Sequence, residues 1–134
     1  MATSGIEDRL REELRRAPGA VVCAYLFGSV ARGEARPQSD IDVAVLFEKP
    51  PAPRLDAGPL DLEGALERAL CRPVQLVVLN RAPADLVHRV LRDGRVVLDR
   101  DRAARIRFEV DKRNEYFDLE PIRRLYRGLR PRST

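Results

Sequence analysis

"LFGSVARGEARPQSDIDVAVLFE", residues 26–48, decides how the chain is read. Gly-Ser stands at one end and Asp-Ile-Asp at the other, inside sequence that otherwise reads as buried strand. A carboxylate in an apolar strand is costly unless a cation satisfies it. Residues two apart on a strand share a face, with Cα atoms about 6–7 Å apart. Asp40 and Asp42 therefore present both carboxylates on one side. Two like charges at that spacing call for a divalent cation between them. Magnesium suits the pair, because it takes oxygen ligands and leaves room for substrate phosphates.

Gly28 and Ser29 supply the complementary half. They follow residues 20–27, "AVVCAYLF", an apolar run of strand formers. They open a short helical turn that stops near Gly33. N–H groups at a helix start attract anions, and glycine lets the backbone approach closely. Arg32, one turn on, can reach the same anion with a guanidinium fork. An anion cradle facing a carboxylate pair is what a magnesium-bound nucleoside triphosphate needs. On the residues alone, a capping role for Asp40 in "QSDID" stays open.

The rest of the chain alternates helix and strand, which predicts an α/β (α+β) class with a small mixed sheet flanked by helices. Ile6, Leu10 and Leu14 mark a helix over 5–17, with Ser4 as cap and Glu7 closing a capping box. Pro18-Gly19 ends it. A second strand covers 40–48, and the proline-rich "EKPPAPRLDAGP" is a loop. A helix over 60–70, a strand over 73–80 and a helix over 83–94 follow. The last of these has Pro near its first turn and Gly at its end. A fourth strand spans 95–99. Residues 101–117 read as a helix with Ala103, Ile106, Val110 and Phe117 along one stripe, and "PIRRLYRGL" adds a further turn or two. Phe117, Leu125 and Leu129 are open to two readings, a partner surface or a cover for the chain's own core.

The 134 residues, 44% hydrophobic and 34% charged, fit a single domain over 1–134 with one core. No apolar run approaches 18 residues, so no membrane span is expected. The mixed-charge N-terminus lacks an apolar signal core, which points to the cytoplasm. Cys23 and Cys71 show no metal-ligand spacing and read as reduced thiols. Residues 100–134 form a basic helical tail with a net charge of +5, the remainder being nearly neutral. Acids interleave with its arginines in "RFEVDKRNEYFDLE", which argues for a solvated helix with local ion pairs rather than a nucleic-acid contact. His88, Tyr116 and Tyr126 read as surface or packing residues, and Lys112 and Arg113 as part of a solvated face.

Gly28-Ser29, ten residues, then Asp40-Ile41-Asp42 resembles the signature of the DNA polymerase β nucleotidyltransferase superfamily. The flanks, "FGSVARGEARPQSDIDVAV", are similar to the minimal nucleotidyltransferases, including the MntA-like antitoxins that partner HEPN-type (HepT) toxins. The likeness continues through "LNRAPADLVHRVLRDGRVVLDRD" and "FEVDKRNEYFD". It implies a minimal nucleotidyltransferase fold and catalysis at Asp40 and Asp42, both holding Mg2+. Gly28, Ser29 and Arg32 would bind the ATP phosphates. The implied reaction is attack by an acceptor hydroxyl on the α-phosphorus of ATP, with AMP transferred and pyrophosphate released. The implied acceptor is a tyrosine of the toxin, so that the chain acts as an antitoxin, in a homo- or hetero-oligomer.

One position departs from that pattern. Members commonly carry a third carboxylate on the next core strand, where this chain reads Val74-Gln75-Leu76. Gln75 can offer a carbonyl oxygen but cannot take a proton. Glu48 lies too far along the strand to substitute, and the helix carrying Asp61 and Glu63 is not placed by sequence. Gln75 leaves open an enzyme with a weakened second metal site or a protein that keeps nucleotide binding and has lost chemistry. Two alternatives stand beside the implied function. One is a catalytically impaired nucleotide-binding antitoxin that neutralises its partner by complex formation. The other is a small-molecule or RNA nucleotidyltransferase.

Overall fold

The computed structural model describes residues 3–17, 21–33, 39–50 and 59–129. For Thr3, Ser4, Pro59, Leu60 and most of 119–129 it describes the backbone alone. The elements run α1 (Thr3–Arg16), β1 (Val21–Phe27), α2 (Gly28–Ala31), β2 (Ile41–Phe47), α3 (Pro59–Leu70) and β3 (Val74–Val78). A single 3-10 turn (Leu79–Arg81), α4 (Ala84–Asp93), β4 (Arg95–Asp99) and α5 (Arg102–Leu129) complete them. Pro18-Gly19, most of "EARPQS" and most of "EKPPAPRLDAGP" lie outside the described residues.

The sheet order is β3-β2-β1-β4, with β2–β3 parallel and the other pairs antiparallel. This is the small mixed sheet flanked by helices expected from sequence. The period-2 alternation of β2 divides the core. Ile41, Val43, Val45 and Phe47 pack with Leu10 and Leu14 of α1 and Leu66 of α3 on one face. Ala44 and Leu46 pack with Val87 and Val90 of α4 on the other, where Phe108 of α5 also lies. Asp42 shares the parity of Ala44, so its carboxylate belongs to the α4 face.

β3 is an edge strand, and its outer N–H groups are answered by α3. The Val74 N–H donates to Glu67 Oε2 at 3.0 Å and the Leu76 N–H to Glu63 Oε2 at 2.9 Å. Unpaired strand edges invite aberrant pairing, and these carboxylates close this one. Glu63 is thereby spent on the sheet rather than on a ligand. β3 ends earlier than the predicted 73–80 because Asn80 leaves the ladder. Its side chain instead bridges Phe47, accepting from the N–H at 2.9 Å and donating to the carbonyl at 2.8 Å.

Three other expectations change. Ser4 lies inside α1 rather than before it, and Glu7 pairs with Arg95 at 2.7 Å instead of closing a capping box. Gly94 is not a left-handed cap; its φ is −85°, and it is required because a Cβ would crowd the Val90 and Leu26 carbonyls. Residues 102–129 form one continuous helix through Pro121, which lacks the N–H that an interior position would donate. That helix also turns its stripe outward: Ile106, Val110, Phe117 and Leu125 are 42–63% exposed. α5 is instead held to the sheet through Phe108 and a polar network. Tyr25 donates to Glu109 Oε2 at 2.7 Å, and Arg105 joins Glu109 and Asp99, each at 2.8 Å. Burial raises the Tyr25 hydroxyl well above its ordinary range and the Cys23 thiol to about 11, so both stay protonated. Both cysteines are free. The side chains of Tyr126 and Leu129 fall outside the described set.

Replacing Glu63 by Ala is expected to cost about 1 kcal/mol and replacing Asn80 by Ala about 2 kcal/mol, since the latter breaks two bonds. Urea unfolding with an unchanged slope checks both, and equal costs would contradict the bridge at Phe47.

Candidate active site

β1 runs into α2 without a connecting loop, and Gly28 makes the turn possible. Its φ is +76°, in the left-handed region that favours glycine. A Cβ built there would fall onto Asp42 Oδ2 and lie 3.0 Å from Asp42 Cγ. The pairing explains why: Phe27 stands opposite Asp42 in the β1–β2 register, so the next residue meets that carboxylate. Gly28 is therefore required twice, by backbone conformation and by the side chain opposite.

Asp42 also stands opposite Gln75 in the parallel β2–β3 register. Glycine turn, carboxylate and glutamine thus occupy one line across three strands. Ser29 and Arg32 join them in a cleft of about 470 Å³. Of the residues predicted from sequence, the structure gathers Gly28, Ser29, Arg32, Asp42 and Gln75 there. Asp40, immediately before β2, is exposed.

Burial raises the Asp42 carboxyl above its usual range, the charge of Asp40 raises it further, and Arg32 partly offsets both. A divalent cation between the two carboxylates would offset that cost. The donor set is all oxygen, as magnesium prefers. Among the described residues no group of three or more His, Cys, Asp or Glu could hold a metal. A cation here would draw its remaining ligands from substrate, water or the Gln75 carbonyl.

The opposite wall was not foreseen. Leu86, Arg89 and Asp93 of α4 line it, with Phe27 and Val77 from the sheet. Their three- and four-residue spacing marks one helix stripe, which sequence could have yielded once α4 was known to cover the Asp42 face. Asp93 is chelated by Arg92 through two bonds of 2.9 and 3.0 Å. That bond holds the Asp93 carboxyl below its usual range, with further attraction from Arg32 and Arg89. His88 stacks on Tyr116 with ring centroids 3.8 Å apart, joining α4 to α5 away from the cleft.

The family described as "Polymerase beta, Nucleotidyltransferase" matches residues 9–103. No curated protein matches the chain. Among solved structures, a toxin–antitoxin with AMP-PNP is similar at 27% identity and a TM-score of 0.79, covering 91% of this chain and 95% of that one. The toxin–antitoxin MntA–HepT is similar at 25% identity and 0.75, covering 93% and 96%. A third, from Shewanella oneidensis, is a tri-AMPylated HEPN toxin in complex with MNT antitoxin, at 25% identity and 0.75, covering 94% and 96%.

Gly28→Ala is expected to cost about 1–3 kcal/mol in urea unfolding, because it must both strain the backbone and displace Asp42. Asp42→Asn is expected to do the opposite and melt higher than the parent at pH 7 in metal-free buffer. A carboxyl whose folded pKa is raised opposes folding when charged, so the advantage holds above the carboxylate range and vanishes below it. Thermal melts between pH 3 and pH 8 check this, and a gain independent of pH would contradict it.

Proposed function

The chain belongs to the polymerase β nucleotidyltransferase family, and we propose that it is a magnesium-dependent protein adenylyltransferase. In this reading it moves AMP from ATP onto a tyrosine of a HEPN-type toxin and so acts as the antitoxin of a toxin–antitoxin pair. The observation that carries the reading is the contact between the glycine turn and Asp42 within one cleft, which sets an anion cradle against a carboxylate. Similarity to the AMP-PNP complex supports the nucleotide. Similarity to the complex holding a tri-AMPylated toxin supports the acceptor.

The residues divide the work. Ser29 and the N–H groups after Gly28 bind phosphate oxygens, and Arg32 adds a fork of donors. Asp40 and Asp42 would hold magnesium, which supplies charge neutralisation at the α-phosphate and the departing pyrophosphate. Positioning and electrostatics then furnish most of the rate. The acceptor oxygen bonds to the α-phosphorus, the bond to the β-phosphate breaks, and pyrophosphate leaves. Gln75 cannot take the acceptor's proton. A phenol, with a pKa of about 10, gives up its proton far more readily than an aliphatic hydroxyl. A tyrosine acceptor therefore suits a site that lacks the third carboxylate.

Gln75 beside Asp42 also sustains a second reading, an antitoxin that binds nucleotide and neutralises its partner by complex formation. Transfer from α-labelled ATP to a co-encoded HEPN protein separates the two. Label on the partner, reduced at least a hundredfold by Asp40→Ala/Asp42→Ala, is the expected result. A tight unlabelled complex, with label appearing only in Gln75→Asp, would establish the second reading instead.

A further inference from the structure

Arg89 of α4 lines the cleft. The same lining holds the apolar Val77 and Leu86 and the anion cradle of Gly28, Ser29 and Arg32. Arg89 has no hydrogen bond or ion pair with a described residue. Its neighbour Arg92 differs, being tied through two bonds to Asp93. The Arg89 backbone is nonetheless fixed. Val87 and Val90 on either side of it are fully buried, and Gly94 is held against the Leu26 carbonyl with no room for a Cβ. The helix thus carries a guanidinium to the cleft on a rigid support and leaves its donors without a hydrogen-bond partner among the described residues.

Asp93, four residues on from Arg89 along α4, lines the same cleft as Arg89 and Arg32. Its carboxylate is attracted by Arg89 on its own helix and by Arg32 at the end of α2. One carboxylate therefore reports both cations, one from each wall. Asp93 is bonded to Arg92, while Arg89 retains its fork for a ligand.

We propose that Arg89 is a second phosphate-binding residue of this site. Together with Arg32 it grips the β- and γ-phosphates of the triphosphate, the portion that departs as pyrophosphate. The α-phosphate is left to the Asp42 end. The assignment rests on the nucleotide-binding reading of the cleft and adds to it the residue that distinguishes a triphosphate from a monophosphate. Arg89 binds the leaving group and does not touch the acceptor.

Calorimetric titration of the full chain with ATP, inorganic pyrophosphate and AMP, each with magnesium, tests it. Arg89→Ala is expected to weaken ATP and pyrophosphate at least tenfold and to leave AMP within about twofold. Arg89→Lys should fall between, because it keeps the charge and loses the fork. Arg107→Ala, on the exposed face of α5, removes the same net charge and should bind like the parent. Equal weakening of AMP and ATP by Arg89→Ala would overturn the proposal in favour of a nucleoside contact. Unchanged binding of all three would overturn it outright, while leaving the nucleotide reading intact. A parent chain that binds none of the three would bring down both.

Discussion

The approach of Asp42 to the backbone at Gly28 is the constraint on which the site depends. No side chain fits between them, so the turn after β1 must be glycine and must be left-handed. The consequence is geometric. The register of two central strands brings the Asp42 carboxylate of β2 against Gly28 at the start of α2, too close for a Cβ. A loop could bring the same groups together but would not hold them there. Every other element serves that register: α1 and α3 pack one face of the sheet, and α4 and α5 pack the other.

The two faces are used differently. The α1–α3 face is closed by apolar side chains, including Leu10, Leu14 and Leu66, all fully buried. The α4 face is closed by Val87 and Val90 only as far as Ala44; beyond it Asp42 and Gln75 look into open space. Strand parity alone sends Asp42 to this side. The chain therefore places its one costly strand carboxylate where α4 leaves a cleft, and the raised carboxyl of Asp42 records the stability given up there.

Much of this was legible in the sequence, and the parts that were not share a cause. The Gly-Ser and Asp-Ile-Asp pair and the strand parity of Asp42 rest on local chemistry, and each has its counterpart in the structure. Gln75 could be named as the odd position only through the resemblance, which implies a third carboxylate there. The α4 wall could not be read, since Leu86, Arg89 and Asp93 become neighbours of Asp42 only through the path of the chain around β3. The stripe on α5 misleads for a related reason. Ile106, Val110 and Phe117 keep helical spacing but face away from the sheet, while Ala104 and Phe108, with the Tyr25–Glu109–Arg105 network, make the attachment. Periodicity reveals an apolar face without saying what covers it.

Gln75 brings fold and chemistry together. In the β2–β3 register it is the residue next to Asp42, so a carboxylate there would add a further negative charge beside one that burial and the charge of Asp40 already raise. The edge carboxylates Glu63 and Glu67 cannot move in to replace it, because their oxygens hold the N–H groups of β3. Asp93 cannot either, since Arg92 occupies both of its oxygens. The chain has acids near the cleft, but each is committed to holding the fold. On the proposed reading, Asp40 and Asp42 would serve phosphate only through a cation held between them, and Gln75 removes no proton. The acceptor would then bring its own acidity, as a phenol does more readily than an aliphatic alcohol.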